Sequence, residues 1–355
     1  MRYKPDWPAA AERLTALWAG RHLGRPCIAV TARRDGGVPW PAPPATPEAR
    51  WLDPAYILPE LRAALGNTYW AGESIPSHLL MAGWVLSGGA VPQFAENTIW
   101  HTPRTFDYDA PPPFAYDPDD PWVRRFRSLY TAIAEEAGAD GFHVGQPLGL
   151  PGSDLLAANL GTEEMLFACA AYPAWAAQAI LQLQRAQVAA FRDCATIPQA
   201  LGNTHWYGCA GWMPFWAPEV TLCTQSDVSC MLSPAMYETF VLPELTLLAN
   251  ELGWLWYHLD GADARQHLPR LLSLPFLRVL QYTPAPCEPP NGPAHLDFYR
   301  AVQAAGKIVH IQVPIAHVEP LVRALDPGLL YLDTYADTPA DADALLYDAA
   351  RWTKG

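Results

Sequence analysis

The sequence predicts a β/α barrel, and two observations carry the prediction. Four short runs near the C-terminus, 254–260 (WLWYHLD), 277–283 (LRVLQYT), 307–313 (KIVHIQV) and 328–334 (GLLYLDT), alternate with helical segments over 263–273, 295–305, 315–325 and 338–352. Strand–helix units repeated at this length imply parallel strands joined by right-handed crossovers. The runs are also largely apolar, which is the pattern of strands buried on both faces. Four such units ending at the C-terminus suit the second half of a barrel, where chemistry gathers at the carboxyl ends of the strands.

Taken in order, residues 25–33 (RPCIAVTAR) predict a strand outside the barrel or at its edge. Prolines cluster at 39–47, 103–121 and 284–293 and mark long ordered loops, read as lids or walls over a pocket or as irregular surface connections. Residues 141–149 (GFHVGQPLG) have strand-plus-loop character, and 162–192 form a helical stretch interrupted at Tyr172-Pro173. Residues 221–232 (TLCTQSDVSCML) read as a strand and loop, followed by a helix opened by Ser233-Pro234, with serine as cap and proline in the first turn. Ala305-Gly306 ends one helix and Thr338-Pro339 opens the last. The expected organisation is one domain over 1–355, with a loop-rich, proline-rich part over 1–120 and most of the barrel over 121–355.

Half of the 355 residues are hydrophobic and 17% are charged, enough for a large core. The net charge of −13, with no basic run longer than Arg33-Arg34 or Arg124-Arg125, argues against a nucleic-acid partner. The N-terminus lacks the apolar stretch of a signal peptide, and nothing approaches the roughly 18 apolar residues of a membrane span. Seven scattered cysteines without a C-x-x-C pair read as reduced thiols in a cytoplasmic protein. There is no G-x-G-x-x-G, Walker A, H-E-x-x-H or G-x-S-x-G motif, so nucleotide cofactors and a serine nucleophile are disfavoured.

The chemistry concentrates in WLWYHLDG, where a buried strand ends in His258, Asp260 and Gly261. Two apart on an extended strand, His258 and Asp260 point to one side. An imidazole and a carboxylate there need a partner, a ligand or a metal. The structural alternative is Asp260 as a helix cap with His258 satisfied internally. Gln281, Gln312 and Asp333 take equivalent places in the next three strands and describe a ring round a barrel mouth, although each alone can be a satisfied core polar group. His310 shares the side of Gln312 but sits deeper, as a core histidine can. Gln225 and Asp227, after the 221 strand, are candidates for orienting substrate and for acid–base work, with Asp227 equally a turn residue. His205, Trp206 and Trp212 belong to an aromatic, glycine-rich segment reaching Trp216 that suits either a pocket wall or a pinned surface loop. Trp70, Glu73 and His78 form a second such loop, with Glu73 a candidate acid or a solvated surface residue.

Four blocks, DLLAANLGTEEML (154–166), LSPAMYETFVLPEL (232–245), YHLDGADARQHL (257–268) and AAGKIVHIQVP (304–314), resemble the uroporphyrinogen decarboxylase-like superfamily. That superfamily includes uroporphyrinogen decarboxylase and the corrinoid-linked methyltransferases. The resemblance runs from about Asp140 to the C-terminus and implies a (β/α)8 TIM barrel with its site at the carboxyl ends of the strands. The decarboxylase's arginine-rich N-terminal motif has no match, Arg33 and Arg34 being the nearest residues. In the methyltransferase branch a strand ends in H-x-C-G and a later cysteine completes a zinc site. Here His258 and Gly261 match, Asp260 stands for the first cysteine, and Asp333 is the nearest counterpart of the second. The implied ligand set is one imidazole and two carboxylates, His258, Asp260 and Asp333, able to take zinc first, or iron or manganese.

The expected activity is metal-assisted transfer of a methyl or other group on a small polar metabolite. Asp227, His258 and Asp260 are the catalytic candidates; His205, Trp206, Trp212, Gln225, Gln281 and Gln312 would bind substrate. The alternatives are a metal-free decarboxylase or lyase working through Asp227 or Asp260 with His258, and a non-catalytic ligand-binding barrel. A corrinoid protein is an expected partner, and a homodimer the expected assembly.

Overall fold

The structure, a computed structural model, describes residues 1–78, 89–147, 150–203 and 213–353. Its strands in chain order are β1 (Cys27–Arg33), β2 (Thr68–Gly72), β3 (Ser77–His78), β4 (Pro92–Phe94), β5 (Ile99–His101), β6 (His143–Val144), β7 (Thr221–Thr224), β8 (Trp254–Asp260), β9 (Leu277–Thr283), β10 (Ile308–Gln312) and β11 (Leu330–Ala336). The main sheet has seven strands in the order β2-β1-β11-β10-β9-β8-β7. Every pairing in it is parallel except β2 on β1. Two smaller ladders pair β3 with β6 in parallel and β4 with β5 antiparallel. Among the described residues no ladder bond joins β1 to β3 or β6 to β7, so the fold is a mixed α/β one with a largely parallel sheet. Side chains partly span the second break: the Gln146 amide donates to the Thr221 carbonyl at 2.6 Å.

Alternation along the strands sends two sets of side chains into two cores. Ile28 and Val30, Leu255, Tyr257 and Leu259, Leu280 and Tyr282, Val309 and Ile311, and Leu330 and Leu332 pack outward under the helices. Cys27, Ala29, Trp256, Val279, Ile308 and Tyr331 face the other way and pack with the helix Trp7–Trp18. That helix contacts β1 and the turn before β11, so it covers the amino ends of the strands. The polar strand ends are left at the opposite edge.

Residues 25–33 differ from the sequence expectation. β1 is neither outside nor at an edge; it lies between β11 and β2, with Ile28 opposite Leu332. The first 120 residues also hold helices Trp7–Trp18, Pro47–Leu52 and Pro54–Gly66 besides their proline-rich loops. The helical stretch breaks where proline requires: Thr162–Ala171 stops before Tyr172, and Pro173 opens Pro173–Ala200. Ser233 and Thr338 cap the helices they precede, accepting bonds from the amides of Met236 and Asp341.

Glu73 is neither a solvated surface residue nor an available acid. It is fully buried and accepts two bonds from Arg25, at 2.6 and 3.0 Å, another from the Ile28 amide at 2.7 Å, and an ion pair from Arg13. Burial pushes its carboxyl up, but Arg25 and Arg13 outweigh that and hold it below the usual value.

Candidate active site

Parallel pairing sets the carboxyl ends of β7 to β11 side by side, and three of their side chains converge. One ligand atom each from Asp227, His258 and Asp260 lies within 4.8 Å of the others. Asp227 opens the turn Asp227–Met231 that follows β7, while His258 and Asp260 end β8. Gly261 comes next with φ +72°, a backbone that L side chains rarely adopt and that turns the chain away directly after Asp260. Asp260 occupies the cap position of the short helix Gly261–Ala264, yet its side chain makes no capping bond. It is exposed, as is Asp227, while His258 is buried between them.

Gln281 orients the imidazole. It stands opposite His258 in the β8–β9 register, and its Oε1 accepts from His258 Nδ1. The other end of the amide donates to Thr283 Oγ1 at 3.0 Å. With both ends engaged and no exposed surface, Gln281 positions His258 instead of reaching substrate. A proton on Nδ1 leaves the lone pair on Nε2, the tautomer that a metal or a proton donor requires. Burial lowers the His258 pKa, against the opposing pull of Gln281 and Asp260, and so favours the neutral ring.

Asp154 is the residue that the sequence did not disclose. It lies in the first turn of the helix Gly152–Leu160 and is buried. Its carboxylate accepts from the backbone amides of Asp227 and Val228 and from the Gln225 amide, each at 3.1 Å. Gln225 also donates to Asp227 Oδ2 at 2.7 Å, so it bridges the two acids. Behind them Glu244 accepts from the Ser153 amide and hydroxyl at 2.7 and 2.6 Å, anchoring the helix start. Gly152 is obligatory here, since a Cβ would come within 2.2 Å of the Ile180 carbonyl oxygen. The one sequence signal was the Pro-Gly-Ser-Asp step at a helix start, which says nothing of a partner so far along the chain.

Electrostatically the site is acid-rich. Desolvation by the surrounding walls, then the charges of Asp154 and Asp260, push the Asp227 carboxyl up to about 7. Asp227 is exposed, and the neighbouring carboxylates of Asp154 and Asp260 favour its neutral form. Burial also raises Asp154, against the three bonds it accepts. Asp154→Asn keeps the shape but removes a charge and one acceptor. It is expected to lower the Asp227 pKa and to cost about 1–3 kcal/mol of stability. NMR titration of Asp227 and urea unfolding would check both, and an unchanged titration would show that Asp154 does not act on Asp227.

Asp333 stands outside this trio. Its carboxylate accepts from His310 Nε2, whose Nδ1 accepts from the Trp256 indole at 2.8 Å. The acid that joins His258 and Asp260 is thus Asp227 and not Asp333. Asp333 and Gln312, paired across β10 and β11, line a cavity of about 210 Å³ with Thr31, Trp70, Tyr335 and Met213. Met213 is the first described residue of the aromatic segment; Phe215 and Trp216 pack in the inner core, and His205, Trp206 and Trp212 lie outside the described residues.

No protein-family model matches the chain, and no curated protein matches it. Among solved structures it is similar to a methyltransferase from Methanosarcina mazei, at 11% identity and a TM-score of 0.57, over 98% of this chain and 99% of that one. At that identity the likeness is one of fold. Among the described residues no helix is long and apolar enough to cross a membrane.

Proposed function

We propose that the chain is an enzyme of the uroporphyrinogen decarboxylase-like type, its parallel strands closing into a (β/α)8 barrel, and that it carries out metal-assisted methyl or other group transfer on a small polar metabolite. The observation that carries this reading is the convergence of Asp227, His258 and Asp260 within 4.8 Å. The donor set fits a divalent ion: one imidazole fixed by an outer amide, and carboxylates whose mutual repulsion a cation would relieve. Nitrogen and oxygen donors suit zinc first, then iron or manganese. A metal at this place supplies Lewis acidity, lowering the pKa of a bound thiol or water or polarising a substrate oxygen. The chain's own residues do the rest: Gln281 fixes the His258 ring, Asp154 fixes the Asp227 turn, and Gln225 holds the two acids in register. The fold likeness to a protein named as a methyltransferase favours methyl transfer within this reading. A cytoplasmic location, pairing of two chains and a corrinoid protein as methyl donor or acceptor belong to the same proposal.

One observation favours a second reading. Without a metal, Asp227 titrates near 7, beside a neutral His258, and is suited to hold and release a proton at physiological pH in a decarboxylase or lyase. Metal analysis of chelator-free, tag-free protein separates the two. About one ion per chain, lost in His258→Ala, is expected; metal-free protein that turns over substrate in chelator would overturn the first reading and leave the second.

A further inference from the structure

Among the described lining residues of the cavity beside Asp333, no cationic side chain offsets the carboxylate. An indole N–H can only donate, so the 2.8 Å bond from Trp256 makes His310 Nδ1 an acceptor and places the ring proton on Nε2. That proton goes to Asp333, so His310 is a neutral imidazole and the group of three keeps the full charge of the carboxylate. His310 is fully buried, while the Asp333 side chain keeps 20% exposure. Asp333 is the one charged side chain in the described lining. Trp70, Tyr331 and Tyr335 also line the cavity. Ser74, 2% exposed and also in the lining, has a buried hydroxyl oxygen with no hydrogen-bond partner.

A carboxylate, aromatic walls and an orphaned hydroxyl share one complementary ligand. We propose that this cavity binds the ammonium group of a small organic amine, with its N–H groups donating to Asp333 and Ser74 and its carbon flanks lying against the aromatic rings. A metal ion is a poorer occupant, because one carboxylate among aromatic rings gives it too few ligands. The inference deepens the proposed function by giving the metabolite an amino group, but the cavity's charge does not depend on a metal at His258.

Calorimetric titration of the chelated, full-length protein with n-propylammonium, 1-propanol and tetramethylammonium tests it. Propylammonium is expected to bind. Propanol, similar in shape but neutral, is expected to bind at least about tenfold more weakly, and tetramethylammonium, without N–H groups, more weakly than propylammonium. Asp333→Asn is expected to lower propylammonium affinity by about tenfold or more, while His258→Ala leaves it unchanged. Equal binding of propanol and propylammonium would overturn the proposal and needs no variant, so it stands even if Asp333→Asn fails to fold. Loss of propylammonium binding in His258→Ala but not in Asp333→Asn would also overturn it, by moving the cation to the other acids. Failure of metal binding with propylammonium binding intact would sink the metal reading alone.

Discussion

Replacing His258 by alanine is expected to lower divalent-metal affinity by more than about 100-fold, and turnover with it, while Gln281→Leu falls in the range of roughly 10–100-fold typical of outer partners. The ranking follows from the geometry. His258 offers the one nitrogen of the trio, whereas Gln281 acts through the proton it accepts from Nδ1. The pH dependence follows from Asp227. A metal must displace its proton, so affinity is expected to fall by about tenfold for each pH unit below about 7. In metal-free protein the sign reverses for stability. The folded carboxyl, near 7, binds its proton more tightly than the unfolded one near 3.9, so its contribution rises as pH falls through that window. His258, with its pKa lowered by burial, works the other way and loses its contribution as pH falls below about 6.5. The difference in Tm between wild type and Asp227→Asn isolates the first effect: it should tilt toward the wild type as pH drops from 8 to 5. A flat difference, or metal affinity indifferent to pH, would remove Asp227 from the site.

The sequence discloses elements whose signal is local. β8 to β11 are buried on both faces, so apolar runs and the capping residues between them suffice to place them. His258 and Asp260 were legible for the same reason, since polarity at the end of such a run is conspicuous. What stayed hidden depends on chain closure. The place of β1 beside β11 pairs residues some three hundred positions apart, with Cys27 opposite Tyr331. Asp154 meets the Asp227 amide 73 residues on. Alternation put Gln281, Gln312 and Asp333 on the inner side, yet alternation names a face and never a partner. Gln281 is spent on His258, and Asp333 accepts from His310. Glu73 looked like a loop acid because its arginines lie 48 and 60 residues before it.

That last residue is expected to give the largest loss of stability in the chain. Glu73→Gln should cost about 3–5 kcal/mol, because it leaves Arg25 buried and unneutralised with Arg13 beside it. The cost is one of uncompensated charge, so Glu73→Gln combined with Arg25→Met should recover a substantial part of it. If the double variant is no better than the single one, the loss is one of backbone support instead. That support is considerable: the Glu73 amide donates to the Ile28 carbonyl at 3.0 Å, and its own carbonyl accepts from the Tyr331 hydroxyl at 3.0 Å. Since the folded carboxyl is depressed, its contribution is present above the unfolded value near 4.3 and is lost as pH falls through the folded one. Urea unfolding of the three proteins at pH 7 and at successively lower pH below about 4 would therefore show wild type converging on Glu73→Gln only in strong acid. The effect also reaches the proposed amine site, because Ser74 and Ile75, the next two residues, line the Asp333 cavity. A protein that loses propylammonium affinity with Glu73→Gln, while its metal trio still loads, would show that this buried ion pair holds one wall of the cavity in place.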